Sequence, residues 1–133
     1  MTELEEAMTY FKNDRYAMET TGITIDEVKT HYAKCSLKID NRHLNANDYV
    51  MGGVFFTLAD FTFAVSSNRG SERTVTTNST ITYLGRVKGD TLISESRLIK
   101  SGGTMCTYEI SVRDNLGNPI ALVVTSGMYV KTA

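Results

Sequence analysis

The stretch that most limits what this chain can become is MGGVFFTLADFTFAVSSN, residues 51–68. Val54, Phe55, Leu58, Ala59, Phe61, Phe63, Ala64 and Val65 place apolar side chains nearly all round a helical projection. A helix apolar on every side is one that other elements surround. A strand of this length is uncommon, so the phenylalanines do not turn the reading to β. The rest of the chain must therefore wrap a long central helix. The run stops at Ser-Ser-Asn-Arg-Gly, with Gly70 as its C-terminal break.

The wrapping material lies downstream. Residues 75–87, 91–100, 104–113 and 120–131 read as strands, rich in Thr, Val, Ile and Tyr. Gly89-Asp90, Gly102-Gly103 and residues 115–119 supply turns between them. Tight turns between successive strands predict antiparallel pairing. Upstream, the chain turns to strand after Gly22. Ala33, Cys35, Leu37 and Ile39 alternate there with Lys34, Ser36, Lys38 and Asp40, the period of a half-buried strand. Residues 2–13 carry Leu4, Ala7, Met8 and Phe11 at helical spacing, with Thr2 as N-cap and Glu5 and Glu6 in the first turn. The economical packing is α+β: an antiparallel sheet wrapped around the long central helix, with a short N-terminal helix docked outside. That is a hotdog arrangement.

With 133 residues and no repeat, linker or low-complexity tract, residues 1–133 read as a single domain. Hydrophobic residues at 41% and charged residues at 22% argue against disorder. A net charge of −1 and no basic stripe argue against a nucleic-acid partner or an anionic membrane surface. No stretch approaches the ~20 apolar residues that span a bilayer. The opening MTELEEAM is acidic, unlike a secretory leader. Cys35 and Cys106 are isolated, with no metal-ligand spacing, and read as reduced buried thiols. A cytoplasmic protein without a metal is the expectation.

Three features carry chemistry. Asp60 sits inside the apolar run, between Ala59 and Phe61. Burying an unpaired carboxylate is costly, so it needs a partner or a purpose, and burial would raise its pKa. A structural Asp bonded to backbone or hydroxyls is the other reading. Gly52 and Gly53 open the same helix. They allow close approach to the unpaired N–H groups of the first turn, whose partial positive charge suits an oxyanion. A tight loop-to-helix turn would also use glycine. Ahead of them, His43, Asn45, Asn47 and Asp48 form a polar loop. Asn45 is placed to orient water or a carbonyl, or simply to make a turn. His43 alone is more often structural.

The segment HLNANDYVMGGVFFTLAD, residues 43–60, resembles the signature of the PaaI-type hotdog acyl-CoA thioesterases. In that family a His-x-Asn element precedes His-Gly-Gly, and Leu-x-Asp follows on the central helix. The later strands, residues 74–131, resemble the family as well. The resemblance implies hydrolysis of an acyl-CoA thioester, with Asp60 as general base or nucleophile and the Gly53 N–H polarising the thioester carbonyl. It implies that Asn45 helps place water or carbonyl, and that Thr76 assists the carboxylate. Thr77 is the alternative, since a one-residue slip swaps faces. Met51 stands where the family has histidine, beside Gly52, so His43, Met51 and Gly52 are expected near the substrate. No cofactor is implied, coenzyme A being part of the substrate.

Spacing adds a separate constraint. Gly53 and Asp60 lie ~10 Å apart along one helix. Both would need to act within ~3–4 Å of one carbonyl carbon. A site completed by two chains resolves this, and the resemblance implies a homodimer or homotetramer with sites at the dimer interface. Arg86 and Lys88, with Lys100 and Arg69, are candidates for the coenzyme A phosphates. Phe55, Phe56 or Tyr83 would line an apolar acyl pocket. Two other readings stay open. One is a non-catalytic acyl-CoA-binding hotdog module, favoured by Met51. The other is a hydratase, whose proton traffic would rest on His43.

Overall fold

A computed structural model describes residues 1–68 and 72–131. Helix α1 (Glu3–Phe11) opens with a full capping box: Thr2 accepts from the Glu5 N–H, and the Glu5 carboxylate accepts from the Thr2 N–H at 3.3 Å. Phe11 is its buried end, packed edge-on against Phe61 of the central helix at 5.4 Å. Met8, counted above with the apolar stripe, is half exposed. A single π-type turn, Tyr16–Thr20, then leads to Gly22, where φ is +82°.

The upstream β region is a hairpin rather than one strand: β1 (Thr24–Lys29) and β2 (Tyr32–Lys38) turn at His31, whose φ is +58°. Ile39 and Asp40 fall outside it. The Asp40 carboxylate instead accepts the Arg42 N–H and starts a 3-10 turn, Asn41–His43. Helix α2 (Gly52–Ser67) follows. Then come β3 (Glu72–Tyr83), β4 (Thr91–Ser101), β5 (Met105–Asp114) and β6 (Pro119–Lys131). Gly70, read above as the helix break, lies outside the described residues; α2 ends with Asn68, whose N–H and side-chain amide both donate to Ala64 O.

All six strands form one antiparallel sheet in the order β1-β2-β4-β5-β6-β3. The hairpins β4–β5 and β5–β6 form where the turn residues place them. The third expected hairpin does not. β3 ends four residues early, at Tyr83, and pairs with β6, so residues 84–90 cross to β4 instead of turning tightly. The Leu84 and Gly85 N–H groups go to Ile120 O, which pulls the chain out of the ladder.

The concave face of the sheet holds α2 through Leu37, Leu92, Tyr108, Ile110, Val112 and Val123, all almost fully buried. Leu58 and Phe63 meet them from the helix, and Phe63 packs edge-on to Tyr108 at 5.5 Å. Small residues let helix and sheet approach. A Cβ on Gly127 would lie 2.9 Å from the Phe63 ring and 3.1 Å from Val75 O. Hydroxyls at this layer are paired: Thr62 donates back to Leu58 O, and Ser66 Oγ lies within hydrogen-bond distance of both Thr62 O and Ser96 Oγ, at 2.6 Å each. Cys35 and Cys106 are free and buried, and burial pushes the Cys35 thiol up to about 12.

Candidate functional site

Helix α2 is not surrounded on every side. Gly53, Phe56, Thr57, Asp60 and Ala64 lie on one helical face and form a stripe that is only partly covered, with Asp60 exposed and the others half-buried. Asp60 is therefore exposed on this chain, which corrects the reading of it as hidden. The greasy residues beside it in sequence point to other faces. Its surroundings still act on it. Partial desolvation by the packed helix surface comes first and raises its pKa, and the negative charge of Asp14 raises it further.

The start of α2 is built differently. Met51, the N-cap, supplies no side-chain hydrogen bond to the first turn; its carbonyl accepts the Val54 N–H at 2.9 Å, and no side-chain oxygen of the N-cap reaches the Gly52 and Gly53 N–H groups. A Cβ on Gly52 would lie 2.9–3.1 Å from the Tyr83 ring and hydroxyl, so the space that glycine leaves there is filled by this chain's own tyrosine. A Cβ on Gly53 would meet only the Met51 methyl, at 2.7 Å. That thioether is flexible and half exposed. A small cavity of about 100 Å³ beside it is lined by Tyr16, Arg42, His43, Met51, Gly53 and Thr57.

The polar loop is spent largely on itself. The buried His43 ring faces Thr21 O through Nε2 at 2.7 Å and accepts the Asp40 N–H on Nδ1 at 3.0 Å. With both nitrogens engaged, it has no lone pair or proton to spare for acid–base work. Asn45 Oδ1 accepts the Asn47 and Tyr49 N–H groups at 2.9 and 3.2 Å, an Asx turn on the surface.

β3 runs alongside α2 in the opposite sense. Thr74 Oγ1 donates to Ser67 O at one end, and Tyr83 lies against Gly52 at the other. Thr76 and Thr77 therefore belong to the Asp60 half of the helix. Thr76 pairs with Gly127, while Thr77 sits at a bulge and donates to Ser126 O. Gly53, Met51 and His43 thus share one cavity with Gly52 beside them, whereas Asp60 lies further along the helix, on the half alongside which Thr76 and Thr77 run. Arg86 lies 4.5 Å over the Tyr49 ring. The two line a cleft of about 330 Å³ with Ile39, Leu44, Phe55 and Val87. Lys88 is on the same crossing segment; Lys100 is at the far end of β4, roughly 30 Å along the strand. Arg69 lies outside the described residues. Sequence reasoning missed Asp14 and Tyr49, which carry no local signal, and the open stripe, because its Phe and Ala look like core.

Residues 47–120 match the thioesterase superfamily. The chain belongs to that superfamily. This thioesterase is 27% identical over 119 residues to the acyl-coenzyme A thioesterase PaaI of Escherichia coli, covering 89% of this chain and 84% of that one. A protein of Archaeoglobus fulgidus with a provisional esterase name is 33% identical over 113 residues, covering 84% and 73%. The solved structure of E. coli PaaI superposes with a TM-score of 0.89 at 23% identity, covering 98% and 95%. A hypothetical thioesterase of Streptococcus pneumoniae, solved with coenzyme A, gives 0.83 at 20% identity, covering 92% and 98%. The fold is thus the hotdog fold of PaaI-type thioesterases, and the enzyme is a thioester hydrolase. None of the helices among the described residues is long and apolar enough to cross a membrane.

Proposed function

We propose that this thioesterase hydrolyses an acyl-CoA to the free carboxylic acid and coenzyme A, in active sites each shared by two copies of the chain. The observation that carries the reading is the split of the site along α2: carboxylate and threonines on one half, glycine amides on the other. The uncovered helix stripe and the open side of β3 favour a dimer. β3 has twelve residues and, among the described residues, a neighbour on one edge only. A long open edge invites another strand. Two copies paired antiparallel along β3, related by a two-fold axis, would lay the Asp60 half of one helix beside the Gly53 half of the other.

In such a site the thioester oxygen accepts the Gly53 N–H, reached by displacing the Met51 methyl. Asp60 of the other copy either takes a proton from water or attacks the carbonyl carbon itself, with Thr76, or Thr77 across the bulge, bonded to the carboxylate or the water. The tetrahedral oxyanion is held by the helix N-terminus and collapses with loss of the coenzyme A thiolate, giving the acid directly when water attacks, or an acyl-Asp60 anhydride that water then hydrolyses when the carboxylate attacks. Asn45 retains its amide NH₂ for the carbonyl or water. The apolar cleft past Phe55 takes the acyl or pantetheine portion, and Arg86 and Lys88 meet the phosphates. The relative solved with coenzyme A and the PaaI match support the substrate class. A non-catalytic acyl-CoA-binding role is the second reading, and the Met51 methyl lying over Gly53 favours it.

The test is release of free thiol from a panel of aryl and aliphatic acyl-CoA esters by wild type, Asp60→Asn and Gly53→Pro. Proline is tolerated in a first helical turn, where it removes the N–H. Each variant alone should be inactive. After subunit exchange, mixed dimers hold one intact site and one doubly damaged site, so about a quarter of wild-type activity should return. No return would sink the shared site. Equal slow release by wild type and Asp60→Asn, with coenzyme A still bound, would establish the binding module instead.

A further inference from the structure

The connection between β3 and β4 must pass two strands, because β5 and β6 lie between its ends. Residues 84–90 make this crossing over the turn that joins β5 to β6. The crossing is tied at its start by the Leu84 and Gly85 N–H groups on Ile120 O, at 2.8 and 3.2 Å. Its far end is held by Asp114, the last residue of β5. Asp114 Oδ2 accepts the Lys88 and Gly89 N–H groups at 2.9 and 3.1 Å. Oδ1 accepts those of Leu116 and Asn118 at 3.0 and 2.9 Å, and Asn118 Nδ2 donates to both oxygens. Next to it, Asn115 Oδ1 accepts the Asp90 and Thr91 N–H groups.

This is a large investment of hydrogen bonds for one turn. Asp114 is fully buried and forms no salt bridge among the described residues. Burial alone would raise its pKa, but the Asn118 amide and the converging N–H groups outweigh that and hold the carboxyl well below its usual range. Between the two ties stand Arg86 and Lys88, both exposed, and neither paired with a carboxylate among the described residues. The cleft that Arg86 lines also takes in Asp48, Gly85, Val87 and Gly89 of the crossing and its neighbours, and reaches Phe55 near the start of α2.

We propose that Asp114 is a positioning residue for substrate binding, which locks the 84–90 crossing to the β5–β6 turn so that Arg86 and Lys88 stand ready for the coenzyme A phosphates. The inference rests on the phosphate role given to those cations above. A segment already fixed does not have to be ordered when substrate arrives, so the anchor acts on affinity and not on the chemical step.

The experiment compares one acyl group carried by coenzyme A with the same group on N-acetylcysteamine, which has no phosphate. Asp114→Asn puts an NH₂ against backbone donors. Gly89→Ala leaves the carboxylate in place but drives a methyl into Asn115 Oδ1, lifting the crossing from its clamp. It serves where Asp114→Asn does not fold. Both variants should raise KM for the coenzyme A ester by about tenfold with kcat unchanged, and leave kcat/KM for the N-acetylcysteamine ester as in wild type. Arg86→Ala/Lys88→Ala should raise the same KM, and adding Gly89→Ala to it should raise it little further, since both act through one contact. A KM increase from the cation variant with none from the Asp114 and Gly89 variants would overturn the positioning role alone. No increase from the cation variant would remove the phosphate reading and the proposal with it. Equal loss on both esters would make Asp114 a structural residue only.

Discussion

At the scale of single residues, the role proposed for Asp60 ties activity to stability with a definite sign. Partial burial, then the Asp14 charge, raises its pKa in the folded protein. The folded state therefore favours the protonated acid relative to the unfolded chain. The stability this contributes is fully present below the unfolded pKa of about 3.9 and is lost as pH rises through the folded value. Asp60→Asn should thus melt higher than wild type at pH 7 and equally below about pH 4, while losing ~10²–10⁴-fold in kcat; calorimetry across pH checks the first and thiol release the second. Asp14→Asn removes the like charge, so the acid limb of the pH–rate profile should move to lower pH, with the plateau retained. Asp114 has the opposite sign: its lowered pKa adds stability that is present above about pH 4 and drains away as the solution is acidified further.

At the scale of elements, α2 and its sheet face set the stability. Leu58 is completely buried at the middle of that contact, and Leu58→Ala should cost about 2–5 kcal/mol in denaturant unfolding. Gly127→Ala should cost about 1–3 kcal/mol by overpacking against Phe63 and the Val75 carbonyl. The capped helix, the central helix and two hairpins were legible in the sequence because their signals are local: a capping box, a long apolar run, and glycine or asparagine turns at fixed spacing. The β3–β6 pairing was not. Its residues are far apart in the chain, and the Gly89-Asp90 step looks like any hairpin turn. The same limit governed the site. Asp60 and the two glycines stood out by residue type, and the threonines only through the family resemblance, but nothing in hydropathy separates Phe56 and Ala64 on the open stripe from Phe63 and Val65 in the core. That separation depends on where the sheet lies.

At the scale of the molecule, the open stripe and the open edge of β3 make one statement about assembly. Ala64 lies on the stripe one helical turn beyond Asp60 and is given no chemical role itself. Ala64→Arg should leave the circular dichroism of the chain intact, turn the sedimenting species from dimer to monomer, and abolish thiol release with it. A wild type that sediments as an active monomer would remove the two-chain site. The sheet order also has a consequence for how the protein is made. β3 leaves the ribosome well before β6, yet β6 is its partner within the chain. Until that strand emerges, a nascent chain can close its β4–β5 hairpin but must carry β3 with both edges bare. The last strand synthesised of the six thus finishes the sheet and, under the proposed two-chain site, completes the edge at which a second copy would dock.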